Sequence, residues 1–533
     1  MAKNIVLCAD GTGNKGGYTP DSNVYRMYHA VDLHDVNNPQ VTFYDNGVGT
    51  QTNKFVRALS GAVGIGFSQN IKDLYRFLIR HYEPGDKVYL FGFSRGAATI
   101  RAFSGFIATC GLMKGSELSA RELDERVELA FDAYRKRRQS MALAEQVKAS
   151  DESHGVIDIE FLGVWDTVSA LGFPKRTDIT GVTLWALDLM FRGLDWLFGR
   201  YFAYLFYNYE LTDNVCFACQ ALALDDARTA FWPWVWDERG RAPGSVEQVW
   251  FAGMHSNVGG GYARAGMSYV TLEWMMARAQ RHGLRLLDDK VREAHDNANV
   301  HGRMYDSRDG FAMYYRYHPR VLKRLTCAGG ECLRGVCRHR QPGGCSKLLE
   351  DIKVHDSVID RMCQRTANYA PTQLPDKFAI VETDLTAPAV TIEPAKDSRW
   401  QKAREMAEFW ILMRKRLYGV LLDITLLVAG FAVYFWLNPQ HPVAATGFMR
   451  DVAGVLNDVL PDFFNGLIAV VMSRYPEIFW AVMAYVVMYF LLRQFAKQKT
   501  IVAGEQLRRV VMTVVEPYYQ KIGKRCRPSH RDI

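Results

Sequence analysis

Residues 87–111 read KVYLFGFSRGAATIRAFSGFIATCG, and this stretch decides the fold. Lys87 to Phe93 form a short, nearly continuous apolar run of the length expected for a buried strand, and Pro84-Gly85 close the segment before it. Gly92-Phe93-Ser94-Arg95-Gly96 fits G-x-S-x-G, and the residues that follow are small and compatible with a helix. That motif needs a strand, a sharp turn and a helix, with glycines where side chains would collide. Ser94 is therefore expected at the carboxyl edge of a sheet, at a helix N-terminus. There, neighbouring amides and the helix dipole favour a developing oxyanion. The expected role of Ser94 is that of a nucleophile.

Working outward, NIVLCAD (4–10) reads as a buried strand ended by the turn-rich GTGN of 11–14. VTFYD (41–45) is a second strand, and 64–82 carries apolar residues at helical spacing. Residues 116–150 are charged and helical, and IEFLGVW (159–165) and VEQVWFAGM (246–254) are further strands. This alternation predicts an α/β fold with a mostly parallel sheet. Between the last two strands, 181–210 is too polar for a clean membrane span and too aromatic for an ordinary loop. It is expected to be a lid-like helical insertion over an apolar site, with a plain packed helical pair as the alternative.

A serine nucleophile needs a base, and the base needs a carboxylate to orient it. On sheets of this kind the order is serine, acid, histidine, with both partners just past strand ends. Asp166 directly follows IEFLGVW. His255 directly follows VEQVWFAGM and opens HSNVGGGY, where glycines let backbone crowd the site. Asp225 of ALALDD is the alternative acid. For the oxyanion hole, the amide of Arg95 is expected to be joined by Gly11 and Thr12 of the DGTGN loop. Asp10 reads as that loop's anchor or as a metal ligand. The chemistry asks for no cofactor.

The basic surplus sits in the tail. Residues 401–533 hold 17 Lys/Arg against 10 Asp/Glu, whereas 1–400 is nearly balanced and carries no nucleic-acid footprint. Two apolar runs, 417–437 and 478–492, have basic flanks and a connector (438–477) with only two Lys/Arg. That predicts a helical hairpin with both ends on the positive side of a membrane, or else a region that binds a partner. The expected domains are thus 1–400, catalytic, and 401–533, helical. The first ten residues lack the basic and apolar regions of a signal peptide. Six cysteines are scattered as intracellular thiols would be, with Cys216 and Cys219 read as core. Cys327, Cys332, Cys337 and Cys345 cluster at a spacing that suits zinc poorly and leaves metal, disulfide and free-thiol readings open.

CADGTGN, NGVGT, PGDKVYLFGFSRGA, FLGVWDTVSALG, ALALDDAR, VEQVWFAGMHSNVGGGY, VHDSVIDR and YAPTQLP occur in this order. Together they resemble the α/β-hydrolase family that contains the first class of type VI secretion phospholipase effectors, over about residues 4–378. The resemblance implies an α/β-hydrolase fold with helical insertions, and a lipolytic serine hydrolase acting on acyl esters of membrane glycerophospholipids. It also implies a triad of Ser94, Asp166 and His255. Bacterial delivery by type VI secretion into a target-cell periplasm, carriage on a spike protein and a neutralising immunity protein follow from the same likeness. The chain departs from the family pattern at Asn257, where the family tends to have Asp, and at Gln220, where it tends to have His. Two other classes fit the residues: a membrane-anchored esterase without a secretion role, and a non-catalytic membrane toxin or adaptor.

Overall fold

The computed structural model describes residues 2–11, 17, 20–47, 66–137, 141–168, 208–326, 349, 351–438 and 447–521. They form two compact units. One holds the described residues up to Trp400 together with those from Leu507 onward, and the other holds Gln401–Gln506.

The first unit is built on a nine-stranded sheet in the order β2-β1-β3-β4-β5-β6-β7-β8-β9. Its strands are β1 (Asn4–Ala9), β2 (Gln40–Asp45), β3 (Lys87–Phe93), β4 (Ile159–Trp165), β5 (Val215–Ala223), β6 (Val246–Phe251), β7 (Lys353–His355), β8 (Phe378–Val381) and β9 (Val390–Ile392). Every neighbouring pair is parallel except β8 and β9. A parallel sheet must be covered on both faces, so its strands read as continuous apolar runs rather than alternating ones. Successive side chains feed two cores. Ile5, Leu7, Val88, Leu90, Leu162 and Val164 join one, with α2 (Phe67–His81), α3 (Arg95–Cys110) and α4 (Ala120–Lys136). Val6, Cys8, Tyr89, Phe91, Phe161 and Trp165 join the other, with α1 (Asn23–Ala30) and α6 (Gly266–Arg281), which follows the single-turn α5 (His255–Gly259).

The chain passes from β1 outward to β2, then returns to β3 on the other side of β1. Open α/β sheets place their sites beyond the carboxyl ends of the strands at such a reversal. Register carries neighbouring strand ends to one level: Phe93 pairs with Trp165, Trp165 with Ala221, and Ala223 with Phe251.

The cysteine readings need correction. Cys219 is buried in β5, but Cys216, three residues earlier near the strand's start, is exposed. Cys363, at the end of α7 (Asp356–Cys363), is disulfide-bonded rather than a free thiol. The cluster Cys327–Cys345 and most of the aromatic insertion (181–207) lie outside the described residues.

In the second unit, α8 (Ser398–Leu437) and α11 (Pro476–Lys521) are long and apolar enough to cross a membrane, and only 6% of each apolar stretch is buried. The connector is itself helical: α9 (Phe448–Val459) and α10 (Asn465–Arg474). Gly466 lets α10 lie against α8, since a Cβ there would stand 3.0 Å from the Phe435 carbonyl oxygen. The end of α11 belongs to the first unit. There Arg508 Nη1 donates to the Met362 carbonyl at 3.2 Å, and the Tyr519 hydroxyl donates to Asp360 Oδ1 at 3.0 Å.

Candidate active site

Ser94 directly follows β3 and has φ 58° and ψ −120°, a backbone shape costly for a residue with a Cβ. The turn closes only because of its glycines. A Cβ on Gly92 would lie 2.7 Å from Ala97 Cα, and one on Gly96 would lie 2.1 Å from the Ala9 carbonyl oxygen. The Ser94 amide donates to the Trp165 carbonyl (3.1 Å), which continues the β3–β4 ladder and fixes the turn to the sheet.

Asp166 stands one residue past β4, also at positive φ (41°). His255 opens α5, four residues past β6. The three side chains meet. His255 Nε2 is 2.8 Å from Ser94 Oγ, and His255 Nδ1 is 2.6 Å from Asp166 Oδ2. All three are buried. Phe93 and Phe231 hold the imidazole from two sides, with ring centroids at 4.6 and 5.0 Å. With Nδ1 donating to Asp166, Nε2 carries the lone pair that can accept the Ser94 proton.

A buried carboxylate needs full satisfaction, and here the structure supplies a residue that sequence reasoning missed. Arg320 Nη1 and Nη2 grip Asp166 Oδ1 and Oδ2 at 2.6 and 2.7 Å, and the Ala223 amide donates to Oδ1 at 2.9 Å. Arg320 is held in turn by the carbonyls of Ala223 and Phe231. Burial alone would raise the Asp166 pKa. The Arg320 charge and the hydrogen bonds from His255 and Arg320 overcome that and hold it well below the usual carboxylate range. Burial lowers the His255 pKa, and the Asp166 hydrogen bond only partly opposes it, so the imidazole stays neutral below the ordinary histidine pKa. Arg320 lies 154 residues from Asp166 in the plain sequence YHPRVL, so no local signal marked it.

The alternative acid, Asp225, does not reach the imidazole. Its Oδ2 accepts from the Gly253 amide (2.7 Å) and the Tyr369 hydroxyl (2.8 Å), and burial pushes its pKa up to about 6. It sits one strand over, past β5, bracing the turn that leads into His255. Asp226 comes nearer: its Oδ2 accepts from the His255 amide at 3.3 Å, and Arg228 pairs with it at 2.6 Å.

The oxyanion-hole expectation needs one correction. The Gly11 amide is taken by Asp10 Oδ1 at 2.6 Å. The buried Asp10 carboxylate must be satisfied, and its Oδ2 also accepts from Ser22 Oγ (2.5 Å) and the Tyr44 hydroxyl (2.6 Å). That is the geometry of a loop anchor. Thr12 lies outside the described residues. Arg95 follows Ser94 at the start of α3, as the motif requires, and burial lowers its guanidinium pKa to about 10. Among the described residues no group of three His, Cys, Asp or Glu side chains could hold a metal ion.

A family model described as the catalytic domain of Tle1-like phospholipase effectors of the type VI secretion system matches residues 3–278. The chain belongs to that family. The matched stretch of this Tle1-like chain contains Ser94, Asp166, Asp225 and His255 and stops short of Arg320. The chain is also 30% identical over 195 residues to an uncharacterised protein of Saccharomyces cerevisiae; that stretch covers 32% of the Tle1-like chain and only 28% of the yeast relative. Among solved structures it is similar to an uncharacterised protein from Pseudomonas aeruginosa, at 18% identity over 79% of this chain and 60% of that one, with a TM-score of 0.31. It is likewise similar to a Tle1 effector solved bound to the VgrG spike of the type VI secretion system. That match has 13% identity over 59% of this chain and 78% of the other, with a TM-score of 0.31.

The two departures from the family pattern are both accommodated. Gln220 accepts from Thr167 Oγ1 at 2.6 Å and donates to the Trp234 carbonyl, while Asn257 Oδ1 accepts from the Met254 amide.

Proposed function

We propose that the chain is a lipolytic serine hydrolase that cleaves acyl esters of membrane glycerophospholipids by a Ser94–His255–Asp166 triad. The observation that carries this reading is the unbroken hydrogen-bonded series from Ser94 Oγ through the imidazole to Asp166, on a strained turn at the sheet's carboxyl edge. His255 takes the Ser94 proton as Oγ attacks the ester carbonyl, then returns it to the departing alcohol. Water activated by the same imidazole releases the fatty acid. Asp166 fixes the tautomer and stabilises the imidazolium. The amide of Arg95, joined by a donor of the Thr12 loop, holds the oxyanion.

Membership of the Tle1-like family supports phospholipid as the substrate class, and the exposed apolar helices α8 and α11 support attachment to a bilayer. On this reading, residues 1–400 are the catalytic domain and 401–533 the membrane-associating region. The protein acts as an antibacterial effector in a target-cell periplasm, rides on a spike protein and is neutralised in the producer by an immunity protein. The full-length protein treated with a fluorophosphonate probe and digested is expected to carry the label on the Ser94 peptide, with no labelling after His255→Ala. A label elsewhere, or none on active protein, would remove Ser94 as nucleophile.

A further inference from the structure

ALALDDAR (221–228) supplies more around the imidazole than the proposed mechanism uses. Asp226 touches the His255 amide, and Arg228 is placed by Asp226 and by the Phe231 and Tyr315 rings. The Arg228 guanidinium carbon lies 3.4 Å from the centre of the Phe231 ring, and that ring meets the His255 ring edge-on at 5.0 Å. Asp226 holds one edge of the guanidinium, with Nε at 3.0 Å and Nη2 at 2.6 Å. The remaining nitrogen, Nη1, makes no hydrogen bond to any described residue, and the side chain is 13% exposed. A planar guanidinium with one edge fixed and another unused is preorganised to donate to an oxyanion.

We propose that Arg228 is an anion subsite that takes the phosphodiester of the lipid while Ser94 attacks an acyl ester on the same glycerol. This inference rests on the lipolytic reading above. Electrostatics gives the site a reason. The Arg228 charge opposes the imidazolium that His255 must become, whereas Asp166 and Asp226 favour it. A bound phosphodiester adds a further negative charge beside the base and offsets that opposition as substrate arrives. A neutral acylglycerol offers Nη1 only uncharged ester and hydroxyl oxygens, which accept more weakly than a phosphodiester, and the subsite therefore favours phospholipid over acylglycerol.

The test compares wild type, Arg228→Gln and Arg228→Lys as full-length proteins. Two substrates of equal acyl length are used in the same mixed micelles: phosphatidylglycerol and monoacylglycerol. Arg228→Gln is expected to lower the ratio of kcat/KM for phosphatidylglycerol to that for monoacylglycerol by roughly 10- to 100-fold, carried mainly by KM, as for loss of a charge-assisted hydrogen bond. Arg228→Lys is expected to retain part of the ratio. Glycerophosphoglycerol, the deacylated head, is expected to compete with monoacylglycerol hydrolysis by wild type and not by Arg228→Gln. An unchanged ratio with no competition would mean that Arg228 only braces Asp226 and Phe231, and would overturn the subsite. If wild type cleaves no phospholipid yet glycerophosphoglycerol competes through Arg228, the subsite stands and the phospholipid substrate falls.

Discussion

Two aspartates lie past adjacent strands, one beyond β4 and one beyond β5, and both are buried. Their surroundings set them apart. Asp166 meets an arginine fork, an amide and the imidazole, and stays ionised. Asp225 meets one amide and one phenol, and burial lifts its pKa to about 6. Burial is common to both, so it cannot define the acid of a triad; the partners do. The end of β4 is organised for charge, whereas the end of β5 is organised to hold a turn.

The sharpest way to break this contrast is to neutralise each carboxylate in turn. Asp166→Asn is expected to lower kcat by about 1,000- to 10,000-fold, because the imidazole loses the partner that fixes its tautomer. Asp225→Asn is expected to cost less than about 10-fold. Equal losses in steady-state kinetics would dissolve the distinction. The next test removes what keeps Asp166 ionised. Arg320→Gln leaves a buried charge without its partner, and denaturant unfolding is expected to report a loss of about 3–5 kcal/mol. Its activity is expected to fall, and the acid limb of its kcat/KM profile to move to higher pH as burial raises the Asp166 pKa against fewer opposing contacts. Arg320→Lys is expected to bring the limb part-way back. In the wild type that limb lies below the ordinary histidine value, because burial lowers the His255 pKa.

The smallest effect is on stability against pH, and the two aspartates give opposite signs. The Asp166 pKa is depressed in the fold, so its contribution is present above the unfolded value of about 4 and is lost as pH falls through the folded pKa. The Asp225 pKa is raised, so its contribution is present below about 4 and is lost as pH rises from there towards about 6. Unfolding curves of Asp225→Asn are therefore expected to flatten between about pH 4 and 6, while those of Asp166→Asn change only below that window.

The sequence carried the contrast only in part. Strands β1 to β4 and β6, the turn at Ser94 and the positions of Asp166 and His255 were legible, because parallel strands are continuous apolar runs and their polar chemistry begins one residue past each end. The residues themselves separated Asp166 from Asp225 by spacing alone, since both follow apolar strands, and the family resemblance added the rest. Arg320 was not legible, because its role is made by a long-range contact, and a lone arginine after His-Pro has no pattern. The short strands β7 and β9 have three residues each, too few for periodicity to register. Gly11 failed as an oxyanion donor for a reason composition hides: the carboxylate beside it takes its amide. The return of α11 to the first unit at Leu507 was equally hidden, since it is made by long-range contacts with Met362 and Asp360.

The central claim is that Ser94 is the nucleophile of a phospholipid hydrolase, and fatty-acid release from phospholipid vesicles by wild type and Ser94→Ala, measured side by side, tests it most directly. The account predicts release by the wild type and a loss of at least about 1,000-fold in the variant. Release by Ser94→Ala within about 10-fold of wild type would contradict it.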